Sequence, residues 1–170
     1  MDGDKASPEP ENRMKSTKKN IEGIDYIQDA LGILIPASLV KEGRKKVRTP
    51  KDVLFMLGEE RIAIQEHFVV FTLDGANKII GKHNVTKGLA NQSQVHPRET
   101  FRPALIDGAV SIICAHNHPS GVLDPSEADL VATKRLAEVG KLMGIPLLDH
   151  IICSQEGFVS LRDMHPHYFT

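Results

Sequence analysis

Apolar positions along this chain fall into stretches with different periods, and each period predicts an element. In residues 21–39, Ile24, Ile27, Leu31 and Leu34 recur at three- and four-residue spacing, which predicts an amphipathic helix that Pro36 ends or kinks. Thr49 before Pro50 has the chemistry of an N-cap and a first helical position, opening a short helix through Val53, Leu54 and Leu57. From His67 the period shortens. HFVVFTLD is a β-forming apolar run, Asp74-Gly75-Ala76-Asn77 supplies turn chemistry, and Lys78 to Lys82 reads as the partner strand of a hairpin. His96-Pro97-Arg98-Glu99 opens a helix through Phe101, Ala104 and Leu105, which Gly108 stops. Residues 109–115 (AVSIICA) predict a buried strand. Residues 126–143 carry Leu130, Val131, Leu136, Val139 and Leu142 at helical spacing up to Gly144. Residues 145–153 predict a second buried strand, and Gln155-Glu156-Gly157 turns into a short last one. Strands alternating with helices make this an α/β chain, a mixed β-sheet flanked by helices.

The first 20 residues, MDGDKASPEPENRMKSTKKN, offer almost nothing to bury against the entropy of ordering, so they are expected to be a disordered tail. The predicted organisation is therefore a tail over 1–20, a helix and basic linker over 21–48, and one domain over 49–165. At 170 residues such a chain can build a real core without disulfides. Lys and Arg (21) nearly balance Asp and Glu (22), which removes any whole-chain argument for nucleic acid. One local patch remains, Lys41, Arg44, Lys45, Lys46 and Arg48, readable as a DNA contact or as a solvated linker. Two cysteines make no disulfide framework and suit a reducing cytoplasm. No stretch approaches the roughly 18 apolar residues of a membrane span, and the charged N-terminus has no signal-peptide core. The expectation is a soluble cytoplasmic protein.

The chemistry concentrates in Ala115-His116-Asn117-His118-Pro119-Ser120-Gly121 and, shortly after, Asp124-Pro125-Ser126-Glu127-Ala128-Asp129. His116 and His118 end a buried strand, and strand alternation points both imidazoles one way. The Pro-Ser-Gly turn reverses the chain, so Asp129, in the first turn of the next helix, can face back toward them. Two imidazoles and a carboxylate leave one position open on a tetrahedral ion, the mark of a catalytic zinc site. Ser126-x-x-Asp129 also fits a helix-capping box, which accounts for Ser126 without accounting for the histidines. Cys114, two residues before His116, is either a fourth ligand that closes the site or a small core residue; Cys153 reads as core.

His116-x-His118, seven residues, Ser126, two residues, Asp129 resembles the JAMM motif of MPN (JAB) domain metallopeptidases at every spacing. HPRETFRPAL at 96–105, AHNHPSG at 115–121, PSEAD at 125–129 and LLDHIIC at 147–153 are similar to its RadC-like bacterial branch, over about residues 50–162. The resemblance implies an MPN (JAB)-like fold of cytidine-deaminase-like architecture, and a zinc-dependent amide or isopeptide hydrolase acting on a protein or peptide. It implies that His116, His118 and Asp129 bind Zn2+, that Ser126 hydrogen-bonds the oxyanion, and that an upstream glutamate is the general base. Glu66, just before HFVVFTLD, fits that glutamate's place. Glu99 is the competitor, although the start of a Pro-led helix makes it a first-turn acid favoured by the helix dipole.

The RadC-like label also carries a DNA-repair association, so the alternative is an accessory protein that binds DNA or protein partners without turnover. DNA contact would then rest on the basic run at 41–48. His116-Asn117-His118 spells HNH, but nucleases of that name take their letters from dispersed positions. A zinc nucleoside deaminase would need H-x-E and C-x-x-C, which the sequence lacks. Asp149-His150 reads as structural hydrogen bonding or as support for a ligand. His165 and His167 have ligand spacing but only Asp163 nearby.

Overall fold

The computed structural model describes residues 44–88 and 95–169, together with the backbone of three strands nearer the N-terminus. Those strands are β1 (Thr17–Ile21), β2 (Ile24–Gln28) and β3 (Leu34–Pro36), an antiparallel three-stranded sheet in that order. This corrects the helix expected over 21–39 and the tail expected to run to residue 20. Residues 1–16 lie outside the described residues. The three- and four-residue spacing of Ile24, Ile27, Leu31 and Leu34 is outweighed by local chemistry. Gly23 and Gly32 each cost a helix about 1 kcal/mol, and the β-branched isoleucines at 21, 24, 27, 33 and 35 favour strand.

The main sheet holds the five strands β4 (His67–Leu73), β5 (Ile79–Lys87), β6 (Ser111–Asn117), β7 (Leu147–Cys153) and β8 (Phe158–Ser160), in spatial order β5-β4-β6-β7-β8. β4 pairs antiparallel with β5 and β6, β6 runs parallel to β7, and β8 returns antiparallel. The mixed sheet is the one the sequence predicts. A parallel pair needs a long crossover, here α3 (Glu127–Met143), which is preceded in the chain by α1 (Pro50–Leu57) and α2 (Pro97–Asp107). α4 (Leu161–Met164) and a last 3-10 turn follow β8.

Strand alternation divides the core into two layers. Phe68, Val70, Ile112, Cys114 and Leu147 pack with Phe101 and Ala104 of α2 and Leu136 and Ala137 of α3. Val69, Phe71, Leu73, Ile113, Ala115, Ile151 and Cys153 pack with Val53 and Leu57 of α1 on the other face. β4 and β6 are buried along their whole length, which is why their sequences read as continuous apolar runs rather than alternating ones. By the same alternation His116 belongs to the α2/α3 face of β6, and Asn117 to the α1 face.

The basic run does not lie free of this sheet. Lys46 forms a β-bridge with Lys78, flanked by Val47 N–H to Asn77 O and Ile79 N–H to Lys45 O. Arg44 is 3.7 Å from Asp74, and the Lys45 ammonium lies 5.0 Å from the centre of the Phe55 ring. Lys41 lies outside the described residues. This strip borders the Asp74–Asn77 turn, near the Ser111 end of β6, about 17 Å of strand from His116.

Candidate metal centre

β6 carries His116 to its C-terminal end on the face toward α3, where the ring is 1% exposed. His118 lies just beyond the strand, still held by its main-chain N–H to Cys153 O at 2.7 Å. The turn that follows folds back through Gly121 at φ 85, and His118 Nδ1 lies 2.7 Å from Val122 O. A carbonyl only accepts, so Nδ1 carries a ring proton and Nε2 is turned toward Asp129.

Ser126 caps α3, accepting the Asp129 N–H at 3.2 Å, and Asp129 is the third helical residue. Asp129 Oδ2 accepts from the Ser126 main-chain N–H at 2.8 Å and from the Ser126 hydroxyl at 2.6 Å. The capping box aims the carboxylate back at the strand end. Asp129 Oδ1 is 3.2 Å from His116 Nε2, Oδ2 is 3.5 Å from His118 Nε2, and the two Nε2 atoms are 3.0 Å apart. One donor atom from each residue falls within 4.8 Å of the others. This is the only group of three or more His, Cys, Asp or Glu side chains among the described residues arranged to hold a metal. Burial opposes the Asp129 charge, yet hydrogen bonding with His116 and His118 holds its carboxyl far below the usual carboxylate range. The Asp129 carboxylate, as hydrogen-bond acceptor, raises His118 above its ordinary value, with a further push from Glu66. The cluster therefore gathers two imidazole nitrogens and one ionised oxygen, a donor set that suits zinc once the nitrogens are unprotonated.

Glu66 is half-buried immediately before β4. Extending the Phe68↔His116 pairing by two residues sets Glu66 opposite His118. Asn117, between the two histidines but on the other face, fixes that segment. Its Oδ1 accepts the His67 N–H at 2.7 Å, and its Nδ2 donates to Ala63 O and to Gln65 O, both at 3.0 Å. Glu99 is exposed in the first turn of α2 and pairs with Arg98 at 3.2 Å. Cys114 is fully buried in the core layer below His116 and outside the ligand group, with its thiol raised by burial. Cys153 is core, as expected.

The Asp149-His150 pair separates. Asp149 accepts from the Ser160 hydroxyl and the Arg162 N–H on the α1 side, whereas His150 Nε2 lies 2.8 Å from His116 Nδ1. His150 Nδ1 is in turn 2.6 Å from Thr133 Oγ1. Burial drives the His150 ring well below its ordinary value, so it is neutral. Sequence reading misses Thr133 and the clamp at Asn117. The only signals were a threonine four residues after Asp129 on α3, and the strand alternation that turns Asn117 away from its neighbours. The tail rings of His165 and His167 pack on Tyr168 and lie outside the ligand group.

A family model described as the RadC-like JAB domain matches residues 47–166. The chain belongs to the RadC-like JAB domain family. Among its relatives, a UPF0758 protein of Bacillus licheniformis is 48% identical over 127 residues, covering 74% of this chain and 57% of the relative. One of Halalkalibacterium halodurans is 50% identical over 121 residues, 71% of this chain and 52% of that protein. The chain thus spans about half the length of the curated relatives it matches. The matched region of this RadC-like JAB domain contains every residue of the cluster, together with Glu66, Asn117, Thr133 and His150.

No described helix is long and apolar enough to cross a membrane.

Proposed function

We propose that this RadC-like JAB domain is a zinc-dependent hydrolase of the JAMM type that cleaves an amide or isopeptide bond in a protein or peptide. The observation that carries the reading is the convergence of His116 Nε2, His118 Nε2 and an Asp129 carboxylate oxygen within 4.8 Å of one another. His116, His118 and Asp129 would hold the ion. Zinc bound there supplies a Lewis acid for the scissile carbonyl and lowers the pKa of a water molecule toward about 7. Glu66 takes the proton of the attacking water as its oxygen bonds to the carbonyl carbon, then delivers that proton to the leaving amine as the C–N bond breaks. Ser126 turns its hydroxyl from Asp129 Oδ2 to the developing oxyanion. Oδ2 keeps the Ser126 main-chain N–H as a donor at 2.8 Å, so the release leaves the carboxylate oriented. Two buried, unpaired thiols support a cytoplasmic setting.

Zinc per chain, measured in protein purified without a metal-binding tag beside Asp129→Ala, tests the reading. About one zinc, lost in the variant, is the expected result. Zinc retained by the variant would move the ion to other residues, and no zinc in either protein would remove the hydrolase.

A further inference from the structure

The two ligand imidazoles are oriented by different means. His118 Nδ1 meets a main-chain carbonyl directly, at 2.7 Å. His116 is sunk in the core, and its Nδ1 meets another imidazole, His150, at 2.8 Å. From there a path continues: His150 Nδ1 to Thr133 Oγ1 at 2.6 Å, then Thr133 Oγ1 to the main-chain oxygen of Asp129 at 2.6 Å. It leaves one ligand on β6, crosses β7, enters α3 and returns to the residue that bears another ligand. All of its side chains are buried, His116 and His150 to 1% and Thr133 to 0% exposure.

A neutral imidazole carries one N–H and a threonine one O–H, so the protons can run along this path in two directions, of which only the first puts a proton in every contact. In the first, Thr133 donates to Asp129 O, His150 donates from Nδ1 to Thr133, and His116 donates from Nδ1 to His150. His116 Nε2 is then a bare lone pair aimed at the cluster. In the second, Thr133 donates to His150 Nδ1, His150 donates from Nε2 to His116 Nδ1, and His116 holds its proton on Nε2, toward Asp129 Oδ1. Only the first leaves a metal ligand. Asp129 Oδ1, 3.2 Å from His116 Nε2, pulls toward the second direction, whereas the anchor of the path, a carbonyl 2.6 Å from Thr133 Oγ1 that accepts and never donates, holds it to the first.

We propose that Thr133 and His150 form a directional hydrogen-bond relay that holds His116 in its Nδ1–H tautomer. Both are positioning residues, and neither touches the ion. The metal readiness of the site is then set by a hydroxyl on α3, remote from the ligand atoms. The inference rests on the zinc reading for its purpose, but the relay itself exists in the zinc-free chain and can be read there.

The test is the full chain with Thr133→Val, which keeps the shape and removes the hydroxyl, beside Thr133→Ser, which restores it. Without the hydroxyl, the first direction leaves a buried His150 N–H with no acceptor, the rarer and costlier orphan. Zinc affinity by chelator competition is expected to fall about 10- to 100-fold in Thr133→Val, with Thr133→Ser close to wild type. Nitrogen-15 NMR of the imidazoles in zinc-free protein is expected to show Nδ1–H on both His116 and His150 in wild type, and Nε2–H on His116 in Thr133→Val. Equal zinc affinity and unchanged tautomers in Thr133→Val would overturn the relay. So would a Thr133→Ser protein as weak as Thr133→Val, because the loss would then come from packing. Should Thr133→Val fail to fold, the wild-type rings still decide, since Nε2–H on His116 contradicts the proposal. A wild type that binds no zinc ends the hydrolase reading alone, and the tautomer comparison still stands or falls by itself.

Discussion

Asn117→Ala should loosen the segment that carries Glu66 while leaving the histidine cluster intact. Asn117 is 1% exposed and makes three hydrogen bonds across that segment, to Ala63 O, Gln65 O and His67 N. Truncation leaves the His67 N–H without its acceptor in a buried position, which costs about 1–3 kcal/mol. Ala63 is half-buried and Gln65 exposed, so water replaces the amide at those carbonyls and only the net worth of each bond is lost, about 0.5–1.5 kcal/mol. The bonds share one side chain and do not add in full, giving an expected loss of about 2–4 kcal/mol. Asn117→Asp is the control: it keeps the acceptor for His67 but turns a carboxylate oxygen toward two carbonyl oxygens. Urea unfolding at neutral pH gives the stabilities, and limited proteolysis tests whether cleavage concentrates at residues 62–66. Zinc content should stay at the wild-type level in both variants, because Asn117 faces the opposite side of β6 from His116. An Asn117→Ala protein within about 0.5 kcal/mol of wild type, the range of an ordinary surface change, would refute the clamp.

Gly140→Ala should lower the melting temperature: the new Cβ would lie 2.6 Å from Ile145 O and 3.2 Å from Leu147 N, main-chain atoms that yield little. Overpacking of about 1–3 kcal/mol then outweighs the gain of up to about 1 kcal/mol from helix propensity, and an unchanged or higher melt would contradict the contact. Hydrogen bonds from the Arg48 and Thr49 main-chain N–H groups lower the Asp52 carboxyl below its ordinary 3.8. Its contribution is thus present above that value and lost as pH falls through the folded value, so Asp52→Asn should be less stable than wild type at pH 7 and converge with it under strong acid. Burial raises the Cys114 thiol beyond the ordinary range and the Cys153 thiol to about 11. A thiol reagent at pH 8 should therefore leave the folded chain unlabelled and modify both cysteines in denaturant, and rapid labelling of native protein would contradict their burial.

What the sequence could reveal about this site follows from how far apart the cooperating residues lie along the chain. His116 and His118 are two apart at a strand end, and Ser126 and Asp129 three apart on a helix start; each spacing encodes its own local geometry, so the grouping of these side chains is legible in the sequence alone. The continuous apolar runs of β4 and β6 were legible for a related reason, since burial on both faces removes the polar half of a strand pattern. The N-terminal segment reads as a helix by spacing because short apolar runs satisfy periods of both two and 3.6, and it is the glycines and β-branched residues that decide for strand. His150, Thr133 and Asn117 carry no such local signature. His150 reaches His116 across 34 residues and Thr133 across 17, and Asn117 reaches Ala63 across 54, through a parallel strand pair, a crossover helix and an antiparallel neighbour. Any residue capable of hydrogen bonding at those positions would look equally ordinary in the sequence. The letters of the His/Asp cluster are thus written locally, whereas the groups that hydrogen-bond to His116 and to the segment beside Glu66 come together only when β4, β6, β7 and α3 pack. A substitution search confined to the motif would keep the His/Asp cluster and still miss the hydrogen bonds that pack around it.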